Sequence, residues 1–107
     1  MKRCNIIWTP FASACLDQIF IYVSEKAGSK TPAEKLIRRL VERVEQLETY
    51  PESGVEEELL KAIGQDSRYL VEASYKIIYQ YEANSIIVTD VFHTSQNPEK
   101  IKRSKNK

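Results

Sequence analysis

The stretch Tyr75-Lys76-Ile77-Ile78-Tyr79-Gln80-Tyr81-Glu82-Ala83-Asn84-Ser85-Ile86-Ile87-Val88-Thr89-Asp90-Val91-Phe92 decides how this chain folds. Its first half alternates. Tyr75, Ile77, Tyr79 and Tyr81 fall on one side of an extended chain, and Lys76, Ile78, Gln80 and Glu82 on the other. A period of two among aromatic and β-branched residues is a strand signal. Ala83-Asn84-Ser85 reads as a short hairpin turn. Ile86 to Phe92 is nearly all apolar and rich in Ile and Val, which predicts a central strand covered on both faces. Immediately upstream, Ser67 to Ala73 supplies a further strand.

Toward the N-terminus the period changes. Cys4 to Trp8 is a short β-prone run that stops at Thr9-Pro10. Thr9 is placed to cap a helix and Pro10 to open it, where a missing N–H costs nothing. Ala12, Leu16, Ile19, Phe20 and Val23 then recur at helical spacing, and Gly28 marks the stop. Thr31-Pro32-Ala33-Glu34 has the pattern of a capping box. After it Ile37, Leu40, Val41, Val44 and Leu47 form one apolar stripe, opposite Lys35, Arg38, Arg39, Glu42, Arg43, Glu45 and Glu48. Pro51 ends this second helix. From Pro51 to Asp66 periodicity is lost, and a loop with at most one helical turn is expected. The order is β-α-α-β-β-β, an α+β architecture in which a helical hairpin packs on one face of a mainly antiparallel twisted sheet.

The chain has 107 residues, enough for one modest core, and its 42% apolar and 29% charged fractions are ordinary for a globular domain. The reading is a single domain over 1–98 and a basic tail over 99–107. The tail places Lys100, Lys102, Arg103, Lys105 and Lys107 against Glu99 alone, which leaves the rest of the chain net acidic although the whole carries +1. Such a tail is either a solvated end or an arm for an acidic partner or phosphates. No apolar run nears the roughly 20 residues of a membrane helix. The first residues lack a secretory pattern, so the cytoplasm is the expected location. Two cysteines, Cys4 and Cys15, fit neither a redox nor a zinc spacing, and one histidine adds too few ligands. Buried free thiols, no metal and no cofactor are expected.

Several pieces, in order and at matching spacing, resemble the RelE/ParE toxin superfamily, and its ParE branch in particular. They are Ile7-Trp8-Thr9-Pro10 with Ala12 and Ala14, then Asp17-Gln18-Ile19 with Tyr22-Val23, and Leu47-Glu48-Thr49-Tyr50-Pro51 followed by Gly54. Arg68-Tyr69-Leu70-Val71, Tyr75-Lys76-Ile77-Ile78-Tyr79, Val88-Thr89-Asp90-Val91-Phe92-His93 and Thr94-Ser95-Gln96-Asn97-Pro98-Glu99-Lys100-Ile101 complete the pattern. The resemblance implies the toxin of a two-gene plasmid-stabilisation module, held in a hetero-oligomer by a cognate antitoxin that lays a partly disordered segment across the toxin's helices and sheet. RelE-like members cleave mRNA on the ribosome, whereas characterised ParE-like members interfere with DNA gyrase.

An mRNA-cleaving toxin needs a general base, a general acid and cations around one phosphate. Arg68, Lys76 and His93 are the candidates, with Lys61 and the tyrosines behind them, if the strand order brings them together. Each also has a plainer role. Arg68 is a partner for Glu72 or another neighbouring carboxylate at the sheet edge, Lys76 a solvated strand residue, and His93 a cap or loop anchor at a strand exit. Where the nuclease pattern has an arginine in the closing segment, this chain has Ser95, and a hydroxyl cannot act as a bidentate phosphate clamp. That favours a binding-type, non-hydrolytic toxin over an endoribonuclease or a degenerate toxin that only binds its antitoxin. Candidate antitoxin or target contacts are Arg39 and Arg43 on the second helix and Lys100, Lys102 and Arg103 in the tail. The last strand or the tail is expected to offer an edge to the antitoxin.

Overall fold

A computed structural model of the chain describes residues 3–56 and 67–95. Strand β1 (Asn5–Trp8) leads into helix α1 (Pro10–Ala27), then helix α2 (Thr31–Glu45) with a 3-10 turn at Gln46–Glu48. Strands β2 (Val55–Glu56), β3 (Arg68–Glu72), β4 (Tyr75–Glu82) and β5 (Ser85–His93) follow. They form one five-stranded sheet in the order β1-β5-β4-β3-β2. The β1–β5 pair is parallel and every other pair antiparallel. This is the expected α+β fold, with one strand more than the sequence pattern suggested. The described residues of β2, Val55 and Glu56, are too few to show a period.

The helix ends follow local chemistry. Thr9 Oγ1 accepts the Ala12 N–H at 3.1 Å and donates to the Val88 carbonyl at 3.0 Å, so one hydroxyl caps α1 and ties it to β5. Gly28 closes α1 at φ 68°, a left-handed position where a side chain is strained. The capping box at Thr31 does not form. Thr31 already lies inside α2, Lys30 takes the cap position without a side-chain bond, and the Glu34 N–H bonds the Lys30 carbonyl at 2.9 Å. The helix begins one residue earlier than the pattern implied, because the short link from Gly28 runs straight into it and Ser29 Oγ accepts the Thr31 N–H.

Both sheet hairpins turn on two residues. Ala73-Ser74 and Ala83-Asn84 all have positive φ, between 50° and 68°, the twist-matched geometry of tight hairpins. Ala73 therefore belongs to a turn and Ser85 to a strand, each one residue off the sequence reading. Asn84 also clasps the N-terminus, its carbonyl accepting from Asn5 N–H at 3.1 Å.

Ile77, Tyr79, Ile86, Val88 and Val91 face the helices and are buried with Leu40, Val44 and Leu47. Between Ile78 and Tyr79 the register with β5 slips: Ile78 pairs with Asp90 but Tyr79 with Val88. Thr89 is the extra residue, and this bulge keeps both Val88 and Val91 on the helix side despite their odd spacing. On the other side Ile87, Thr89 and Phe92 are only half-buried, so β5 is central but fully covered on one face only. Lying between β1 and β4, it offers no edge; the edges are β1 and β2. Cys4 is buried, Cys15 half-buried, and both are free thiols. No helix among the described residues is long and apolar enough to cross a membrane.

Candidate functional site

Helix α1 carries more apolar surface than one buried face requires. Beside the inner stripe, Phe11, Ala14, Cys15, Gln18 and Tyr22 repeat at i, i+3, i+4, i+7 and i+11 and form a second stripe. Phe11 and Tyr22 remain 51% and 58% exposed. They wall one side of a groove of about 810 Å³ whose other side is the Ala73-Ser74 turn, Tyr75 and the Val91–His93 end of β5. The Tyr75 and His93 rings meet edge to face at 5.2 Å on its floor. Burial, reinforced by the neighbouring Tyr22, raises the Tyr75 phenol above the usual tyrosine range. Burial likewise pushes the Cys15 thiol up, so it stands in the groove as a protonated, weakly reactive group.

At the end of β5 the Ser95 N–H donates to His93 Nδ1 at 3.2 Å, and Ser95 Oγ lies 2.8 Å from the same nitrogen. Because an N–H can only donate, Nδ1 accepts in this contact. Ser95 thus orients the imidazole, and the Thr94 N–H bonds the Ser74 carbonyl at 2.9 Å to fasten this end of the sheet to the turn.

The three polar candidates are not gathered. Arg68 begins β3 on the helix side, and its Nη1 donates to the Gly54 carbonyl at 3.1 Å and the Glu52 carbonyl at 3.3 Å. Its Nη2 lies 3.9 Å from the Glu52 carboxylate. Lys76 is on the opposite face of the sheet, its Nζ 4.1 Å from the Tyr69 ring centre and 6.0 Å from that of Phe92. His93 shares the helix side with Arg68, but Arg68 pairs with Tyr79 and His93 with Tyr75. Four residues of strand, roughly 13 Å, and two strand spacings separate them. The strand order therefore does not assemble the expected trio, because a period of two puts Lys76 on the wrong face.

Glu72 does not pair with Arg68. It takes Arg39 at 2.7 Å and Arg43 at 3.8 Å, so these two of the three α2 arginines clasp the helix to β3. Arg39 still has a side chain 60% exposed and open to a further contact. Lys61, Lys100, Lys102, Arg103 and the basic tail lie outside the described residues. Among those described, no group of three or more His, Cys, Asp or Glu side chains could hold a metal ion. A second, shallower groove of about 520 Å³ lies between the helices, floored by Phe20, Ile37 and Val41 and rimmed by Glu34, Glu42, Glu45 and Arg38. Sequence reading missed the groove walls Phe11 and Tyr22. The signal was present, since α1 has apolar residues left over once its inner face is filled.

A helical hairpin on one face of a mixed five-stranded sheet, with an aromatic groove at the sheet's end, defines a small α+β protein. The chain belongs to the family of ParE toxins of type II toxin–antitoxin systems (parDE), which it matches over residues 6–98. Comparison with curated proteins gives no match. Among solved structures, a chain of the chromosomal ParDE toxin–antitoxin system from P. aeruginosa superposes with a TM-score of 0.71 at 21% identity. The alignment covers 85% of this chain and 96% of that one, and at this identity it is a likeness of fold.

Proposed function

We propose that this type II toxin inhibits growth by gripping a protein target, with DNA gyrase the candidate, rather than by cleaving mRNA, and that a cognate antitoxin neutralises it. The observation that carries the reading is the contrast between the groove and the dispersed cations. Phe11, Tyr22 and Tyr75 offer aromatic surface, and no Lys, Arg, Asp or Glu is among the described residues lining the groove. Such a surface suits the apolar anchors of a protein segment, whereas a polyanionic strand needs cations. Arg68 is engaged in holding the Glu52–Gly54 loop, and Lys76 faces the other way.

Expression of the chain with parallel measurement of plasmid supercoiling and of mRNA half-lives tests this. Lost supercoiling with stable transcripts is expected, and rapid transcript cleavage at unchanged supercoiling would overturn the reading. Tyr22→Ala and Phe11→Ala are expected to reduce toxicity or antitoxin binding, while Lys76→Ala leaves both unchanged. The antitoxin role is tested by co-purification with the protein encoded beside it.

A further inference from the structure

Charge is segregated along the outer seam of the helical hairpin. The floor of this seam is Phe20 of α1 with Ile37 and Val41 of α2, all half-buried. The core packs against Ile37 but leaves Phe20 and Val41 outside it. Glu34, Glu42 and Glu45 stand exposed on the rim, with Arg38 the one cation among the described lining residues. Arg39 and Arg43 turn toward the sheet instead, where they hold Glu72. Asp17, one turn before Phe20 on α1, adds an exposed carboxylate on the same side. The result is an apolar strip under net negative charge.

We infer that this seam docks the chain's own C-terminal segment, with Ile101 on the apolar floor and Lys100, Lys102 and Arg103 on the glutamates. The segment complements the groove: one apolar residue within a run of cations, opposed by Glu99 alone. Its point of departure is close. Ser95, the last described residue, lines the first groove with Gln18 and Tyr22, and Phe20 belongs to the same turn of α1. At 3.6 residues per turn, Gln18 and Phe20 point to opposite sides of that helix. The route is therefore half the girth of one helix, roughly 16–19 Å for a cylinder about 10–12 Å across. The chain from Ser95 to Ile101 extends to roughly 20 Å, enough to cross. The surface crossed carries Asp17 and Ile21, the latter 49% exposed. Each exposed ion pair contributes little by itself. Tethering holds the segment at an effective concentration in the millimolar range, so contacts too weak to join two copies suffice within one chain. The inference rests on neither the gyrase nor the antitoxin reading.

Carbodiimide cross-linking of the full chain, read by peptide mass spectrometry, is the direct test. A mixture of unlabelled and nitrogen-15-labelled chains separates links within one molecule from links between two. Links from Lys100 or Lys102 to Glu42 or Glu45 are expected within single chains, at a yield that dilution leaves unchanged. They should fade in high salt, because the paired charges are exposed. Ile101→Asp keeps every amine and carboxylate that these links use, and is expected to lower their yield roughly tenfold. Ile101→Leu should retain it. Links that join labelled to unlabelled chains, links indifferent to Ile101→Asp, or no link between this segment and α2 would overturn the inference. So would links that form only once a different protein is added.

Discussion

Tyr79 is fully buried on β4, yet its hydroxyl donates to the Pro51 carbonyl at 2.8 Å and accepts the Gly54 N–H at 3.0 Å. Gly54 allows this because a Cβ there would lie 2.6 Å from that oxygen and 2.8 Å from the Tyr69 carbonyl. Gly54→Ala is therefore expected to lower stability by about 1–3 kcal/mol through overpacking. Tyr79→Phe should cost about 1–3 kcal/mol by stranding the two backbone groups. Denaturant midpoints measure both. The double variant should fall short of the sum, since both changes break one contact. At the same scale, Cys15 is expected to react with a thiol reagent more slowly than a free cysteine at neutral pH, because its thiolate is disfavoured by burial.

At the scale of elements, the Thr9 hydroxyl holds both the start of α1 and its seat on β5. Thr9→Ala is expected to cost about 1–2 kcal/mol, more than Thr9→Ser, which keeps both bonds. The clasp from Arg39 and Arg43 to Glu72 looks similar in purpose but is half open to water. Glu72→Gln should therefore change stability by under about 1 kcal/mol, less still in high salt. Equal losses in the Thr9 and Glu72 variants would show that the clasp is stronger than its exposure implies.

For the whole molecule, alkaline pH is the informative variable. Burial raises Tyr79 above the ordinary tyrosine value of about 10. A group whose folded value is raised contributes its full stability below the unfolded value and loses it as pH climbs through the folded one. Stability should thus be level with respect to tyrosine up to about pH 10 and fall above it, and Tyr79→Phe should flatten that fall. Thermal melts between neutral and strongly alkaline pH measure this, and an unchanged alkaline slope in the variant would place the effect elsewhere.

The element order, the core stripes of both helices, the Thr9–Pro10 start, the Gly28 stop and the family were legible in the linear chain. All rest on local period and local capping chemistry, which neighbours along the chain suffice to express. Other features were not. The bulge at Thr89, strand β2 and the failed capping box at Thr31 depend on which segments meet. The separation of Arg68, Lys76 and His93 depends on strand register, and a shift of one residue exchanges the faces. The groove arises only where the spare apolar stripe of α1 meets the ends of β4 and β5. Sequence by itself determined the two helices, four of the five strands and the family they build. Tertiary structure alone decided which side chains share a surface, because contacts between distant segments are set by pairing and packing rather than by spacing along the chain.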